Sequence, residues 1–128
     1  MRPKTDTLTG QELEIMKAIW PRGQATVRDV YDALRADRTI AYTTVQTMMN
    51  ILETKGHLKR EPGEKAHVYS PARPQQAVVK SMVREFVNRV FDGSARPLLV
   101  HLLKEKGLTE RERRELQKLL DSKKQQED

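Results

Sequence analysis

The chain has 128 residues, which is room for one modest domain or for a small domain with an appendage. It is 37% hydrophobic and 33% charged, so it has enough apolar content for a folded core beneath a strongly solvated surface. It has no cysteine, which excludes disulfides, thiolate catalysis and thiolate metal sites, and its net charge of +6 favours a polyanionic partner.

The first predicted helix begins at a capping box. Thr9 and Glu12 are spaced so that the hydroxyl and the carboxylate each satisfy a free backbone N–H. Apolar residues then recur at helical spacing up to Trp20, and Pro21-Arg22-Gly23 ends the run. This pattern predicts a helix over residues 11–20.

The second and third predicted helices come next in the sequence. Thr26 and Asp29 form another cap signature, which predicts a helix ending near Ala36. The third helix extends from Ala41 to Lys55, and Gly56 suits the left-handed position that closes it. The predicted buried positions of the two helices are Val27, Val30, Tyr31 and Leu34, and then Val45, Met48, Met49 and Leu52.

A short β-hairpin is predicted after the third helix. Residues 58–61 and 66–70 resemble strands, and Pro62-Gly63-Glu64-Lys65 between them suits a turn in which Gly63 accepts a positive φ. Three helices followed by a hairpin is the order of a winged helix-turn-helix. The predicted fold class is therefore mainly α with a small β-hairpin wing.

A boundary is predicted at Pro71-Ala72-Arg73-Pro74, because proline resists the continuation of a helix. The expected domains are a DNA-binding winged helix over residues 1–72 and a helical dimerisation region over residues 73–128. Helices are predicted over residues 75–91 and 95–106, and a third begins at the capping box of Thr109.

The C-terminal helices have wide apolar faces. Val78 begins one row at i, i+4 spacing, and a second row beginning at Val79 lies about 100° further round the helix. Three short helices can hardly bury this surface alone, so we expect a homodimer, unless the region packs on its own N-terminal domain. The candidate dimerisation residues are Val79, Met82, Phe86, Val90, Phe91, Leu98, Leu99, Leu102, Leu103, Leu116, Leu119 and Leu120.

The third helix is the candidate DNA reader. From Thr39 to Leu52 the sequence has no acidic side chain that would repel phosphates. Its exposed positions are expected to carry residues that pair with bases in the major groove, unless the face binds a protein instead of DNA. The candidate base-reading residues are Thr43, Thr44, Gln46, Thr47 and Asn50, and the candidate phosphate contacts are Arg38, Arg60, Lys65 and His67.

Charge alone does not mark the N-terminal half as the DNA-binding part. Residues 1–72 hold 11 Lys and Arg against 9 Asp and Glu, so they carry only +2 of the +6. A DNA-binding surface in this half must therefore gather its positive side chains on one face. A dimer would present two copies of that face.

Enzyme chemistry is not indicated. His57, His67 and His101 are scattered along the chain, and the sequence contains no zinc-protease motif, Gly-rich phosphate loop or nucleophile elbow. We expect no metal and no cofactor. The start of the chain lacks the apolar stretch of a signal peptide and the longest apolar runs are too short to span a bilayer, so a cytoplasmic protein without membrane insertion is expected.

The chain resembles the penicillinase repressor and methicillin-resistance regulator family in several stretches. These are residues 8–16 with 19–20, 27–30, 41–47 and 52–56, together with the predicted hairpin and residues 86–94. The resemblance implies a winged-helix homodimer that represses promoters by binding palindromic operators, often built on TACA/TGTA half-sites. It places the base-reading positions at Thr43, Thr44, Gln46 and Thr47, and it implies that the C-terminal helices of two copies interleave.

The resemblance also bears on induction. In the resistance branch a membrane β-lactam sensor triggers proteolysis at an Asn-Phe bond in the dimerisation region, which implies a sensor protease or its downstream protease as a partner. The corresponding residues here are His101 and Leu102. A copper-responsive branch uses C-terminal cysteines, which this chain lacks.

Overall fold

The computed structural model describes residues 7–105 and 107–127. Three helices, a hairpin and three further helices follow one another in the predicted order. The elements are α1 (Gly10–Ile19), a 3-10 turn (Trp20–Arg22), α2 (Val27–Arg35), α3 (Tyr42–Thr54), β1 (Leu58–Pro62), β2 (His67–Pro71), α4 (Gln75–Phe91), α5 (Ala95–Glu105) and α6 (Glu110–Glu127).

Reciprocal capping boxes open three of the helices, as the sequence predicts. In the first, the N–H of Thr9 donates to the Glu12 carboxylate at 2.9 Å, and the N–H of Glu12 donates to the Thr9 hydroxyl at 3.2 Å. These bonds satisfy backbone donors that a helix leaves free at its start. The boxes are Thr9–Glu12, Thr26–Asp29 and Thr109–Glu112.

One apolar core joins the first three helices, the hairpin and the start of α4. Val78 is fully buried in it, so this residue faces the core and not a partner. Met82, one turn further along, is partly buried against the same core, which leaves less of its surface for a second chain. The buried apolar residues are Leu8, Ile15, Met16, Ile19, Ala25, Val27, Val30, Val45, Met49, Leu52, Leu58, Tyr69 and Val78.

The hairpin gains a third, one-residue strand that precedes α2. Strands β1 and β2 pair antiparallel, with Arg60 opposite Tyr69 and Pro62 opposite His67. On the other side of β2, the N–H of Ala25 donates to the carbonyl of Tyr69 at 2.9 Å, and the reverse bond is 2.8 Å. This bridge attaches the wing to the connection between α1 and α2.

The prediction that Gly63 adopts a positive φ is wrong, and the reason for glycine there is space. Gly63 does not adopt the left-handed conformation, but a Cβ built on it would collide with the carbonyl oxygen of Ala66 and approach Val68 Cγ2 to 2.8 Å. The two sides of the turn approach so closely that only a hydrogen fits between them.

Gly63→Ala is therefore expected to lower the free energy of unfolding by about 1–3 kcal/mol, because the tip of the hairpin must open to admit the methyl group. Denaturant unfolding measures the change. Gly10→Ala is the matched control, since a Cβ at Gly10 meets no atom within 4 Å. Equal midpoints for the two variants would contradict the prediction.

A partly buried ion pair joins the start of α1 to the end of α3. The ammonium of Lys55 lies 2.9 and 3.0 Å from the two carboxylate oxygens of Glu12, whose side chain is 5% exposed. Burial by itself would raise the pKa of Glu12, but hydrogen bonds from the Thr9 N–H and from Lys55 outweigh it and hold the pKa below its usual value.

The stability of the fold should therefore fall in acid. A carboxyl whose pKa is lower in the folded chain stabilises it above the unfolded pKa, about 4.3, and this contribution is lost as the pH drops through the folded value. Glu12→Gln keeps a capping side chain and removes the charge, so we expect a loss of about 1–3 kcal/mol at neutral pH and a flatter acid limb. Thermal unfolding from pH 3 to pH 7 measures both, and Glu112→Gln in the third box serves as the control. A pH profile unchanged by Glu12→Gln would contradict the assignment.

The chain divides by its contacts into a unit that ends at Glu85 and a unit that begins at Phe86, so the division lies within α4. In the second unit, Asp92 and Gly93 take left-handed conformations between α4 and α5, with φ of 52° and 89°. The predicted domain boundary at residues 72 and 73 stays a prediction. In the described parts of the chain, no helix has both the length and the apolarity needed to cross a membrane.

Candidate nucleic-acid interface

The two sides of α3 differ sharply in burial. Val45, Met49 and Leu52 are completely buried and fix the helix on the core. The opposite side carries the predicted base-reading residues, all of them exposed: Thr43, Thr44, Gln46, Thr47 and Asn50. The helix therefore presents short hydroxyl and amide side chains to the outside on a rigid base, a suitable geometry for contacts with base edges.

The single carboxylate in the sequence of α3 is held by a cation. Glu53 lies near the C-terminal end of the helix, and its Oε2 is 3.5 Å from Nε of Arg60 on β1. The N-terminal three turns, which carry the candidate readers, contain no acidic side chain. The exposed face is accordingly neutral and does not repel phosphates.

The wing carries exposed cationic and titratable side chains. Lys65 lies in the connection between the two strands, and His67 begins β2; both are exposed. Arg60 is also exposed, although a phosphate would have to compete with the Glu53 carboxylate for its guanidinium. The predicted phosphate contacts of the wing are thus available on one hairpin.

Tyr69 fixes the wing to α3. Its hydroxyl donates a 3.0 Å hydrogen bond to Oδ1 of Asn50, while its backbone pairs with Ala25. Asn50 is therefore an exposed residue of the reading face and also a structural link, and the bond to Tyr69 orients its amide.

Arg38 lies outside this group. Its guanidinium forms a 2.9 Å ion pair with Glu14 of α1, a residue 24 positions earlier. A phosphate would have to compete with Glu14 for the same donors. The structure thus groups the α3 residues and the wing residues, and places Arg38 in a separate ion pair.

A second exposed surface is apolar and belongs to the C-terminal helices. Leu99 and Leu103 of α5 are 53% and 52% exposed, and Leu119 and Leu120 of α6 are each 65% exposed. Nine of the twelve candidate dimerisation residues are exposed, and Met82, Phe91 and Leu98 are partly buried. Exposed leucines at this density are typical of a surface that another chain covers. His101 and Leu102 are both exposed and lie within helix α5.

Two structural features near this face are not predicted from the sequence. The one-residue bridge at Ala25 has no sequence signal, because a single residue shows no strand periodicity. Two arginines on α2, Arg28 and Arg35, flank Tyr31 at i−3 and i+4, and this spacing could have identified them. Tyr31 is only partly buried, so it is not a simple core residue.

Among residues 7–105 and 107–127, no three histidine, aspartate or glutamate side chains lie together in an arrangement that could hold a metal ion.

Two curated relatives match most of the chain. A protein named penicillinase repressor, from Bacillus licheniformis, is 27% identical over 118 residues, which cover 92% of this chain and 92% of that protein. A protein named transcriptional regulator BlaI, from Mycobacterium tuberculosis, is 32% identical over 109 residues, which cover 84% of this chain and 79% of its own length.

A solved structure matches more than half of the chain. The solution structure of the monomeric form of BlaI from Bacillus licheniformis, in complex with the blaP half-operator, has a TM-score of 0.50 and 29% identity. The match covers 59% of this chain and 92% of that one. The predicted fold class, mainly α with a hairpin wing, is confirmed.

A family model described as penicillinase repressor matches residues 8–122. The match confirms the resemblance that the sequence motifs indicate. It also confirms the prediction that the chain is not an enzyme, since the family is one of repressors. The chain belongs to the penicillinase repressor family.

Proposed function

We propose that the protein is a transcriptional repressor that binds operator DNA as a homodimer, with α3 in the major groove and the wing on the phosphate backbone. The observation that carries this proposal is the exposed face of α3, which combines Thr43, Thr44, Gln46 and Thr47 with an absence of acidic side chains. Glutamine can pair with adenine, and threonine methyl groups can contact the methyl group of thymine.

The phosphate contacts assigned to the wing support the same geometry. Arg60, Lys65 and His67 lie on one hairpin, and Tyr69 fixes that hairpin to the reading helix. Phosphate contacts set the position of a protein on the duplex but do not read its sequence. The wing would therefore hold α3 in register while the α3 side chains select the bases.

Dimerisation is the second part of the proposal. The exposed leucines of α5 and α6 offer a surface for a second copy, and a two-fold dimer is the commonest closed assembly. A two-fold protein matches a palindromic operator, one half-site for each subunit. Such a dimer, in the cytoplasm, would repress by covering promoter DNA and denying it to polymerase.

Relief by proteolysis is proposed at or near the bond between His101 and Leu102. Both side chains are exposed, but the bond lies inside α5, so a protease would have to open that helix before it could cleave. Cleavage there would separate α6 from the rest of the chain and remove its leucines from the dimer. A membrane sensor or a protease downstream of it would be the partner.

The salt dependence of DNA binding tests the proposal. Genomic fragments captured by the purified protein supply the operator, and titrations at several salt concentrations measure affinity for it and for unrelated duplex. We expect a log–log slope that corresponds to several phosphate contacts, at about 0.9 per contact, and tighter binding to the captured fragment.

The rival function is a winged-helix module that binds a protein through the same face. A chain that shows no salt-dependent binding to any duplex would contradict the proposal and favour this rival. Retention on heparin without binding to duplex DNA would count in the same direction, because it would reflect charge alone.

A further inference from the structure

Two arginines of α2 stack on one tyrosine beside the first residue of α3. The guanidinium carbons of Arg35 and Arg28 lie 5.1 and 5.7 Å from the centre of the Tyr31 ring. The same ring packs edge-on against Tyr42, with the two ring centres 5.5 Å apart at 74°. We refer to Arg28, Tyr31, Arg35 and Tyr42 as the arginine stack.

The arginine stack borders the candidate reading face. Tyr42 is the first residue of α3, is 39% exposed and directly precedes Thr43 and Thr44. The ring contact between Tyr31 and Tyr42 therefore places the two guanidiniums of α2 close to the N-terminal end of the reading helix. This end is also the positive end of the helix dipole, which favours anions.

The acidic side chains of α2 leave these arginines available. Asp29 accepts the N–H of Thr26 in the capping box. Asp32 lies 3.4 Å from Arg28 and 3.3 Å from Arg35, but the three side chains are 46–62% exposed. Ion pairs this exposed are weak, so a phosphate can displace the Asp32 carboxylate.

We propose that Arg28 and Arg35 contact phosphates of the duplex next to the N-terminal end of α3, with Tyr31 as their platform and Asp32 as a competing anion. This inference rests on the proposed function. It adds a second group of phosphate contacts, besides those of the wing, to the same DNA-binding surface. Stacking holds a guanidinium plane in place and leaves its N–H donors at the rim for phosphate oxygens.

The spacing along α3 agrees with this arrangement. The wing meets α3 at Asn50, and the arginine stack meets it at Tyr42. These positions are eight residues apart, which is about 12 Å along a helix axis. Thr43, Thr44, Gln46 and Thr47 therefore lie between the position where the arginine stack meets the helix and the position where the wing meets it.

The test compares Arg28→Ala, Arg35→Ala and the double variant in salt titrations of DNA binding. Because the dimer carries two copies of each arginine, we expect the log–log slope to fall by about 2 in each single variant and by about 4 in the double variant. The affinity should fall by the same factor for the operator and for unrelated duplex, because phosphate contacts carry no sequence information. Asp32→Asn should tighten binding to both duplexes by several-fold.

Two controls separate this effect from others. Arg111→Ala removes an arginine that pairs with Glu115 at i+4 and 3.3 Å, as Arg28 pairs with Asp32, and should leave the slope unchanged. Arg28→Lys combined with Arg35→Lys keeps the charge and should keep most of the slope. If the lysine variant loses the slope as the alanine variant does, the positive charge at these two positions does not set the slope and the proposal is overturned.

The result also distinguishes this inference from the proposed function. A wild-type chain that binds no duplex refutes both. A wild-type chain that binds its operator, together with a double alanine variant of unchanged slope and affinity, refutes only the role of the arginine stack.

Discussion

Replacing Thr44 and Gln46 together by alanine is expected to abolish operator recognition and to leave the dimer intact. Both side chains are exposed on α3, while the residues that hold the helix on the core are untouched, so the fold should survive. Each good base contact contributes about 1–3 kcal/mol, and two subunits lose two contacts each. The expected loss is about 4 kcal/mol or more, on the order of a thousandfold in affinity.

Gel-shift titration and analytical sedimentation of the purified double variant measure the two halves of this expectation. Gln76→Ala is the control, because it removes an exposed glutamine from the first turn of α4. Residual binding should lose its preference for the operator over unrelated duplex, since the phosphate contacts remain. Unchanged operator affinity would contradict the assignment of α3 as the reader.

Leu99→Asp or Leu103→Asp is expected to give monomers with weak DNA binding. Each leucine is about half exposed in the single chain, so a charge there costs the monomer little. In a dimer the same carboxylate would be buried against apolar side chains without a partner, which is strongly unfavourable. A monomer reaches one half-site only, and the loss of two-site binding should lower operator affinity by about 10²–10⁴-fold.

Sedimentation across a range of concentrations gives the oligomeric state, and the gel-shift titration gives the affinity. Lys104→Asp places the same carboxylate on α5 in place of an exposed lysine and away from the leucine positions, so it should preserve the dimer. A stable dimer in a chain that carries both leucine changes would refute the assignment of the interface.

Local signals made most of the fold predictable. The ends of the helices are marked by residues that act within four positions of each other, such as Thr9 with Glu12 and the left-handed Gly56 after α3. The buried and exposed sides of α3 follow from its apolar spacing, so the candidate readers could be named from sequence. These features need no knowledge of distant parts of the chain.

The features that sequence did not reveal depend on contacts between distant residues. Arg38 pairs with Glu14, and no local pattern relates the two. Val78 looked like part of a partner-facing row, because helical spacing identifies an apolar side but not which protein surface covers it. Gly63 correctly indicated a turn, but the sequence did not reveal why glycine is needed there. A close approach across a turn and a positive φ both require glycine, and only the structure distinguishes them.

The two attachments of Tyr69 affect whether the protein or the duplex changes conformation in the proposed complex. Its backbone joins the hairpin to Ala25 and its hydroxyl joins the same hairpin to Asn50, so the wing has little freedom to swing before the duplex arrives. A preorganised protein surrenders little conformational entropy on association. The duplex must then supply the adjustment, and operators that bend or narrow easily outside the contacted bases should be preferred over stiff ones with the same half-sites.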